Sequence, residues 1–402
     1  MKKTIILMLL FFLVGNIMAQ DDKQSREIDS LVEAALLRKG FKPSKTQFMI
    51  RGYGHTGFNY QTSGDEKESS FVGSAFAPIF LFKLSDRLMF EAELEFVLEG
   101  NELEVGLEYA DVMYVLNKNM TIRAGKFLLP FGTFMERLHP SWINRFSTRP
   151  LGFGHDGIAP ASGIGVELRG AFDLGGPTLN YSIYSTNGPR LKDGSDEPEE
   201  AGMLMFKNYE DNNKSKAFGG RIGLLPFSDS STEIGFSAYS TNGVGNQDSQ
   251  YENVGVFLYA LDFSFIKQIA PLKGIIDIKA QYNNSNVDAA TYTEEHEDGD
   301  IEEYTFDNKS NSFYTQLSYR PTMSDNNFLK KLEFVGRYSN FNAPEGAEWE
   351  EQSTQLALGI NYWLSWRSVV KMSYQTTDKE GGHGGHGSAN TKGFFLHWAI
   401  GF

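Results

Sequence analysis

Not one of the 402 residues is cysteine, so neither a disulfide framework nor a lipid anchor on a cysteine sulfur is available, and stability has to come from another source. Long apolar runs are almost as scarce. After Ile5–Val14 no stretch approaches the ~20 consecutive apolar residues that a membrane-crossing helix requires, which excludes a helical membrane protein. Positive charge is in deficit, with a formal net charge of −14, and nucleic acid is therefore not an expected partner. The common catalytic signatures are missing as well: there is no G-x-S-x-G, no H-E-x-x-H and no phosphate-binding loop, so no enzymatic activity and no cofactor are expected. No break in composition follows the first forty residues, and one large domain is the simplest reading.

What is present begins with an export signal. Lys2 and Lys3 precede the apolar run, Gly15-Asn16 ends it, and cleavage after Ala19 leaves a signal peptide of residues 1–19. Residues 20–45 read as a leader, in which Ile28, Leu31, Ala35 and Leu36 share one face of a short helix over 24–39 that Gly40 stops.

From residue 46 to 402 the period is two. In the clearest stretch, Leu88, Phe90, Ala92, Leu94, Phe96 and Leu98 alternate with Met89, Glu91, Glu93, Glu95, Val97 and Glu99, a segregation no helix produces. The same reading along the chain predicts sixteen strands, at 46–60, 70–84, 87–100, 102–116, 119–128, 161–173, 177–188, 216–226, 231–242, 253–266, 273–285, 311–321, 328–341, 350–364, 366–377 and 391–402. Twelve residues tilted by ~40° cover roughly 30 Å, enough for the apolar band of a membrane barrel. The gaps alternate between short ones, such as Ser85-Asp86 and Asn117-Lys118, and mostly long ones, with a tight turn near Gly100-Asn101 as the exception. This is the pattern of an all-β, sixteen-stranded antiparallel transmembrane β-barrel with short periplasmic turns, long extracellular loops and a short N-terminal helix.

In the final strand Phe394, Leu396, Trp398, Ile400 and Phe402 share one face. A terminal aromatic at Phe402 resembles the closing strand of outer-membrane barrels, where it forms part of the signal to the barrel-assembly machinery. Trp363, Trp366, Tyr338 and Tyr362, near strand ends, are expected to point outward as interfacial girdles in outer-membrane lipid.

If the apolar faces meet lipid, the alternate positions line the lumen. On strands three and four these are Glu91, Glu93, Glu95, Glu99, Glu102, Glu104 and Glu108; basic candidates elsewhere are Arg51, Arg123, Arg169, Arg221, Lys279, Arg337, Arg367 and Lys371. A two-signed lumen generates a transverse field that favours small polar solutes over apolar ones. The gap at 129–160 carries Phe131, Phe134, Trp142, Phe146 and Phe153, aromatics that need burial, so it is expected to fold inward as a constriction loop. Glu136, Arg137, His139, Arg145 and Arg149 then stand near the narrowest point.

Residues 107–132, and within them Arg123, Gly125, Lys126, Phe127, Pro130, Phe131 and Gly132, resemble the R-x-G-K/Q-F…P-F-G stretch that leads into the constriction loop of the phosphate-selective porin family. The resemblance implies a sixteen-stranded, trimeric porin of a Gram-negative outer membrane and extends more weakly over most of the chain. That family's ladder of inward Arg and Lys is replaced here by seven glutamates on two neighbouring strands. The expected activity broadens accordingly to passive diffusion of small hydrophilic solutes or ions. Arg123, Arg145 and Arg149 remain candidates for a local anion site, since guanidinium matches phosphate bidentately, and phosphate selectivity is the alternative reading. A barrel of another class, structural or adhesive, would use loops 189–215 and 286–310 to bind an outside partner around a blocked lumen. His383 and His386 in GGHGGHG offer two metal donors, too few for a site unless Asp378, Glu380, Glu294, Glu295 or His296 joins them.

Overall fold

The computed structural model describes residues 47–99, 101–155, 157–295, 301–381 and 389–402. The expected signal peptide, the leader helix and the pair His383 and His386 lie outside the described residues.

All sixteen expected strands form, and they close into one barrel. They are β1 (Gln47–Ser63), β2 (Glu66–Lys83), β3 (Leu88–Glu99), β4 (Glu102–Asn117), β5 (Met120–Leu128), β6 (Ser162–Asp173), β7 (Thr178–Asn187), β8 (Lys216–Leu225), β9 (Thr232–Thr241), β10 (Val256–Ile269), β11 (Gly274–Val287), β12 (Lys309–Arg320), β13 (Leu332–Asn342), β14 (Gln352–Ser365), β15 (Ser368–Glu380) and β16 (Ala389–Gly401). Each pairs antiparallel with its neighbour in sequence, and β16 returns to β1 with Tyr53 opposite Gly401 and Ser63 opposite Thr391.

The side-chain pattern is inverted relative to a water-soluble sheet. On β16 Leu396, Trp398 and Ile400 are exposed while Phe395, His397 and Ala399 are buried. Leu356 and Leu358 on β14 and Ile183 on β7 likewise lie bare on the outer wall, whereas Glu93, Glu167, Ser237, Asp262 and Arg337 are buried inside. An apolar exterior around a polar interior suits a wall solvated by hydrocarbon.

Two expectations are corrected. The first long gap, 61–69, is a tight turn: β1 and β2 run on to Ser63 and Glu66, so polar residues that read as loop are strand continuing past the apolar band. Trp363 points inward. It is buried while Tyr362 and Leu364 on either side turn toward the outer wall, and adjacent strand residues cannot share a face. Its indole donates to Glu333 Oε2 at 2.9 Å and its ring lies beneath the guanidiniums of Arg145 and Arg320. Trp366 and Tyr338 are exposed as expected.

A bulge in β4 also changes which residues face the lumen. Opposite β3 the pairing steps from Leu94–Leu107 to Glu93–Tyr109, leaving Glu108 as an extra residue. Before it the odd positions Leu103, Val105 and Leu107 are exposed; after it the even positions Val112, Tyr114 and Leu116 are. Asp111 is thereby turned inward, opposite Glu91.

The long loops at one end pack on one another instead of standing free. Tyr292 stacks between Tyr251 at 5.6 Å and Phe306 at 5.4 Å, and the Trp349 indole donates to Ala201 O at 2.9 Å.

Barrel closure leaves little room at Gly52. Its amide donates to Phe402 O at 3.1 Å and its carbonyl accepts from Phe402 N at 2.9 Å. A Cβ there would fall 2.3 Å from Ala77 O and 2.6 Å from the Phe402 ring. Gly52→Val is expected to destabilise the barrel by about 1–3 kcal/mol, read as a lower temperature for loss of the compact, heat-modifiable band; an unchanged transition would contradict this packing.

Candidate functional site

The site is built where β5 hands over to the segment 129–161. At Gly125 φ is +135°, and a Cβ would lie 2.3 Å from Ala110 O, so only glycine lets β5 press this closely on β4. The Arg123 guanidinium, inside the same turn of wall, donates to Glu167 Oε2 at 2.6 Å and to Leu128 O at 3.1 Å and lies 4.5 Å over the Phe127 ring. Lys126 reaches Leu107 O and, at 3.2 Å, the Tyr209 hydroxyl.

The chain then leaves the wall. Gly132 takes φ +64° against the Gln281 carboxamide, where a Cβ would come within 2.4 Å of its atoms. Its amide donates to Ser237 Oγ at 3.0 Å, and the next two amides, of Thr133 and Phe134, share Gln281 Oε1 at 2.8 and 3.0 Å. One helical turn, Phe134–Leu138, follows, with Phe134 and Phe153 packed edge-on to each other at 5.5 Å and against Tyr314 of β12. The loop is folded inward, and its aromatics Phe131, Phe134, Phe146 and Phe153 are buried.

Two cations of the far wall hold its middle. Lys371 on β15 donates to the carbonyls of Ser141, Asn144 and Phe146 at 2.5, 2.9 and 3.0 Å. Arg337 on β13 donates to Thr148 O and Oγ1, both at 2.9 Å, and to Arg149 O at 3.1 Å. Asn361 adds Arg145 O at 3.0 Å, and Leu151 N reaches Ser339 Oγ at 3.4 Å. Both cations are almost wholly buried.

The remaining candidates divide between locked and open positions. Arg221 grips Asp262 with two bonds, 2.6 and 2.9 Å, and meets Glu233 at 2.9 Å. Arg145 bridges Glu333 at 2.9 Å and Asp277 at 3.5 Å; Lys279 also pairs with Asp277, at 2.7 Å. Glu136 meets Arg169 at 2.8 Å, and Arg137 meets Glu233 at 2.8 Å while remaining 40% exposed. Arg149 is exposed and Arg51 half-buried. The Arg367 guanidinium stacks 4.2 Å over Trp366. On the acidic wall Glu93 is buried and accepts from the Tyr53 hydroxyl at 2.7 Å, Glu91 and Glu95 are half-buried, Glu102 and Glu104 are exposed, and Glu99 pairs with Glu102 across the hairpin.

Tyr53, Asp111, His155, Glu167, Glu233, Asp262, Asp277 and Glu333 complete the network and were not among the sequence candidates. Several were legible by parity. Glu167 stands two residues from Arg169, Asp277 two from Lys279 and Glu333 four from Arg337, in each case on the same strand face. Asp111 was hidden by the bulge.

In the loop, burial pushes the Glu136 carboxyl up, but Arg169, Arg137 and Arg123 together outweigh it and hold the group below its ordinary value. Burial lowers the His139 imidazole to about 4; its Nδ1 faces Met135 O and its Nε2 lies 3.4 Å from the Tyr53 hydroxyl.

Barrels of this architecture are known. The chain superposes on an anion-selective porin from Comamonas acidovorans with a TM-score of 0.57, at 12% identity over 89% of this chain and 100% of that one. For the outer membrane channel DcaP of Acinetobacter baumannii the TM-score is 0.55, at 12% identity over 90% and 99%. For OprB of Pseudomonas putida it is 0.53, at 9% identity over 92% and 96%. The fold is that of a porin. No family model matches the sequence, and no curated protein matches it. The contacts of segment 129–161 run from β1 at Tyr53 round to β15 at Lys371.

Lys371→Met strands three loop carbonyls, at a cost of about 1–3 kcal/mol each if they stay dry. The loop is expected to detach and become cleavable near residues 139–149, with the barrel still heat-modifiable; a protease-resistant loop would show that Lys371 does not hold it. Acid acts in the same direction. A released His139 takes up a proton near 6.5 and the docked one only near 4, so docking stability is complete above about 6.5 and falls as pH drops toward 4. Proteolysis of the loop is expected to increase over that range, and less steeply in His139→Asn; identical pH profiles would contradict the assignment.

Proposed function

We propose that the protein is an outer-membrane porin that lets small hydrophilic solutes diffuse down their gradients, with residues 129–161 as the constriction. The observation that carries this reading is a lipid-type exterior around a charged interior into which one loop is folded and anchored by Lys371 and Arg337. The porin fold of the neighbours supports it. The same reading takes residues 1–19 as an export signal, 20–45 as a periplasmic leader, Phe402 as an assembly signal read by the barrel-assembly machinery, and a homotrimer as the working state.

The motif shared with phosphate-selective porins supports a channel of that general kind more than phosphate selection. Arg123 and Lys126 are spent on Glu167, Leu128 O, Leu107 O and Tyr209, and Gly125 and Gly132 serve the route of the chain. The motif is an instruction for launching the loop. Exposed cationic surface on the loop is supplied by Arg149 and by Arg137, which also pairs with Glu233. The loop's contacts with so much of the wall favour a second reading, a barrel of very low conductance with a mainly structural role.

Planar-bilayer recording separates the two. Stable current steps that grow in Lys371→Met support the porin, and silence from correctly folded, heat-modifiable protein in both forms would establish the blocked barrel. Neutralising Glu91, Glu93 and Glu95 together is expected to shift the reversal potential in a salt gradient toward anions; no shift would mean that this wall does not face the conduction path.

A further inference from the structure

The bulge in β4 brings together three donors from three parts of the chain. Glu95 of β3, Glu108 at the bulge and His155 on the returning arm of the loop place their ligating atoms all within 4.8 Å of one another. Glu108 is 7% exposed, and its Oε1 accepts no hydrogen bond. The Lys126 ammonium is turned to Leu107 O and the Tyr209 hydroxyl instead. A buried carboxylate oxygen left without a donor costs about 1–3 kcal/mol or more, and such an atom calls for a partner.

The spacing identifies the partner. His155 Nε2 lies 3.3 Å from Glu108 Oε1, longer than an ordinary bond between these atoms. Ligand atoms about 2.1 Å from a tetrahedral zinc ion stand roughly 3.4 Å apart, so the two atoms already span one edge of such a shell. Two carboxylates and an imidazole suit zinc and its neighbours in the transition series, whereas calcium and magnesium prefer oxygen alone. The carboxylates also cancel the ion's double charge.

We propose that Glu95, Glu108 and His155 bind one zinc-class divalent cation from the lumen, with water in the fourth position, and that the ion ties the returning arm of the constriction loop to the acidic wall. The site uses neither His383 nor His386, and its occupancy does not depend on whether the barrel conducts. Lys371 and Arg337 hold the middle of the loop to the far wall; the ion holds the other arm to β3 and β4.

The test is a zinc titration of the full chain in detergent after stripping with chelator, with heat-modifiability confirming the fold of every variant. One equivalent is expected at micromolar affinity or tighter, weakened about tenfold or more in Glu108→Gln and in His155→Ala and unchanged in a His383→Ala, His386→Ala double variant. Zinc is also expected to protect the loop from protease in the parent chain and not in His155→Ala. The proposal is overturned if zinc does not bind, if Glu108→Gln and His155→Ala bind it as the parent does, or if only the double variant loses it.

Discussion

A sheet in hydrocarbon has no water to turn to, so every backbone amide and carbonyl in it must be paired within the sheet. Closure of β16 on β1 meets that demand, and the rest of the molecule follows from it. Once the ladder is closed, the period of two sends one set of side chains to lipid and the other to the interior, and the interior set must be polar if the lumen is to hold water. This chain puts Glu, Asp, Arg and Lys there in numbers that crowd one another. Arg221 with Asp262 and Glu233, and Arg123 with Glu167, show one way the crowding is resolved: in these groups buried ions of opposite sign are matched, with bonds of 2.5–2.9 Å.

Lys371 and Arg337 are the exceptions that explain the loop. Among the described residues no carboxylate is bonded to either; both are matched to carbonyls of residues 141–149. An irregular segment inside a barrel carries carbonyls that no ladder satisfies, and two buried cations lack anions. Each deficit removes the other. The loop is thus as much a part of the interior's charge balance as the acidic side chains are, and its aromatics fill the space around Tyr314 that the shorter wall side chains leave.

Strand positions, closure and the inward loop were legible because they rest on local regularities: a period of two, alternating gap lengths and aromatics that need cover. What period and spacing leave out is where two distant parts of the chain meet. Lys371 and Arg337 were recognised as inward cations, yet their partners lie some two hundred residues away in sequence, and nothing near either residue announces a carbonyl to be bonded. The bulge at Glu108 is a second kind of blindness. One inserted residue reverses the faces of all that follow on β4, so Asp111 enters the lumen against a strict alternation. Trp363 is a third: aromatic character suggested the membrane interface, but its face was already determined by Tyr362 and Leu364.

The interior charges therefore serve two purposes, and a solute meets only one of them. Charges held by several partners, such as Arg221, Lys371 and Glu167, are screened by them and contribute little field to the open space. The groups that retain exposure are Glu91 and Glu95 on the wall and Arg137 and Arg149 on the loop. Counting inward charges along the strands overstates the basic side, because most of its arginines and lysines are consumed in holding the structure together. The field inside such a barrel is set by what the packing leaves over, and here that remainder is half-buried carboxylates of the wall and exposed guanidiniums of the loop.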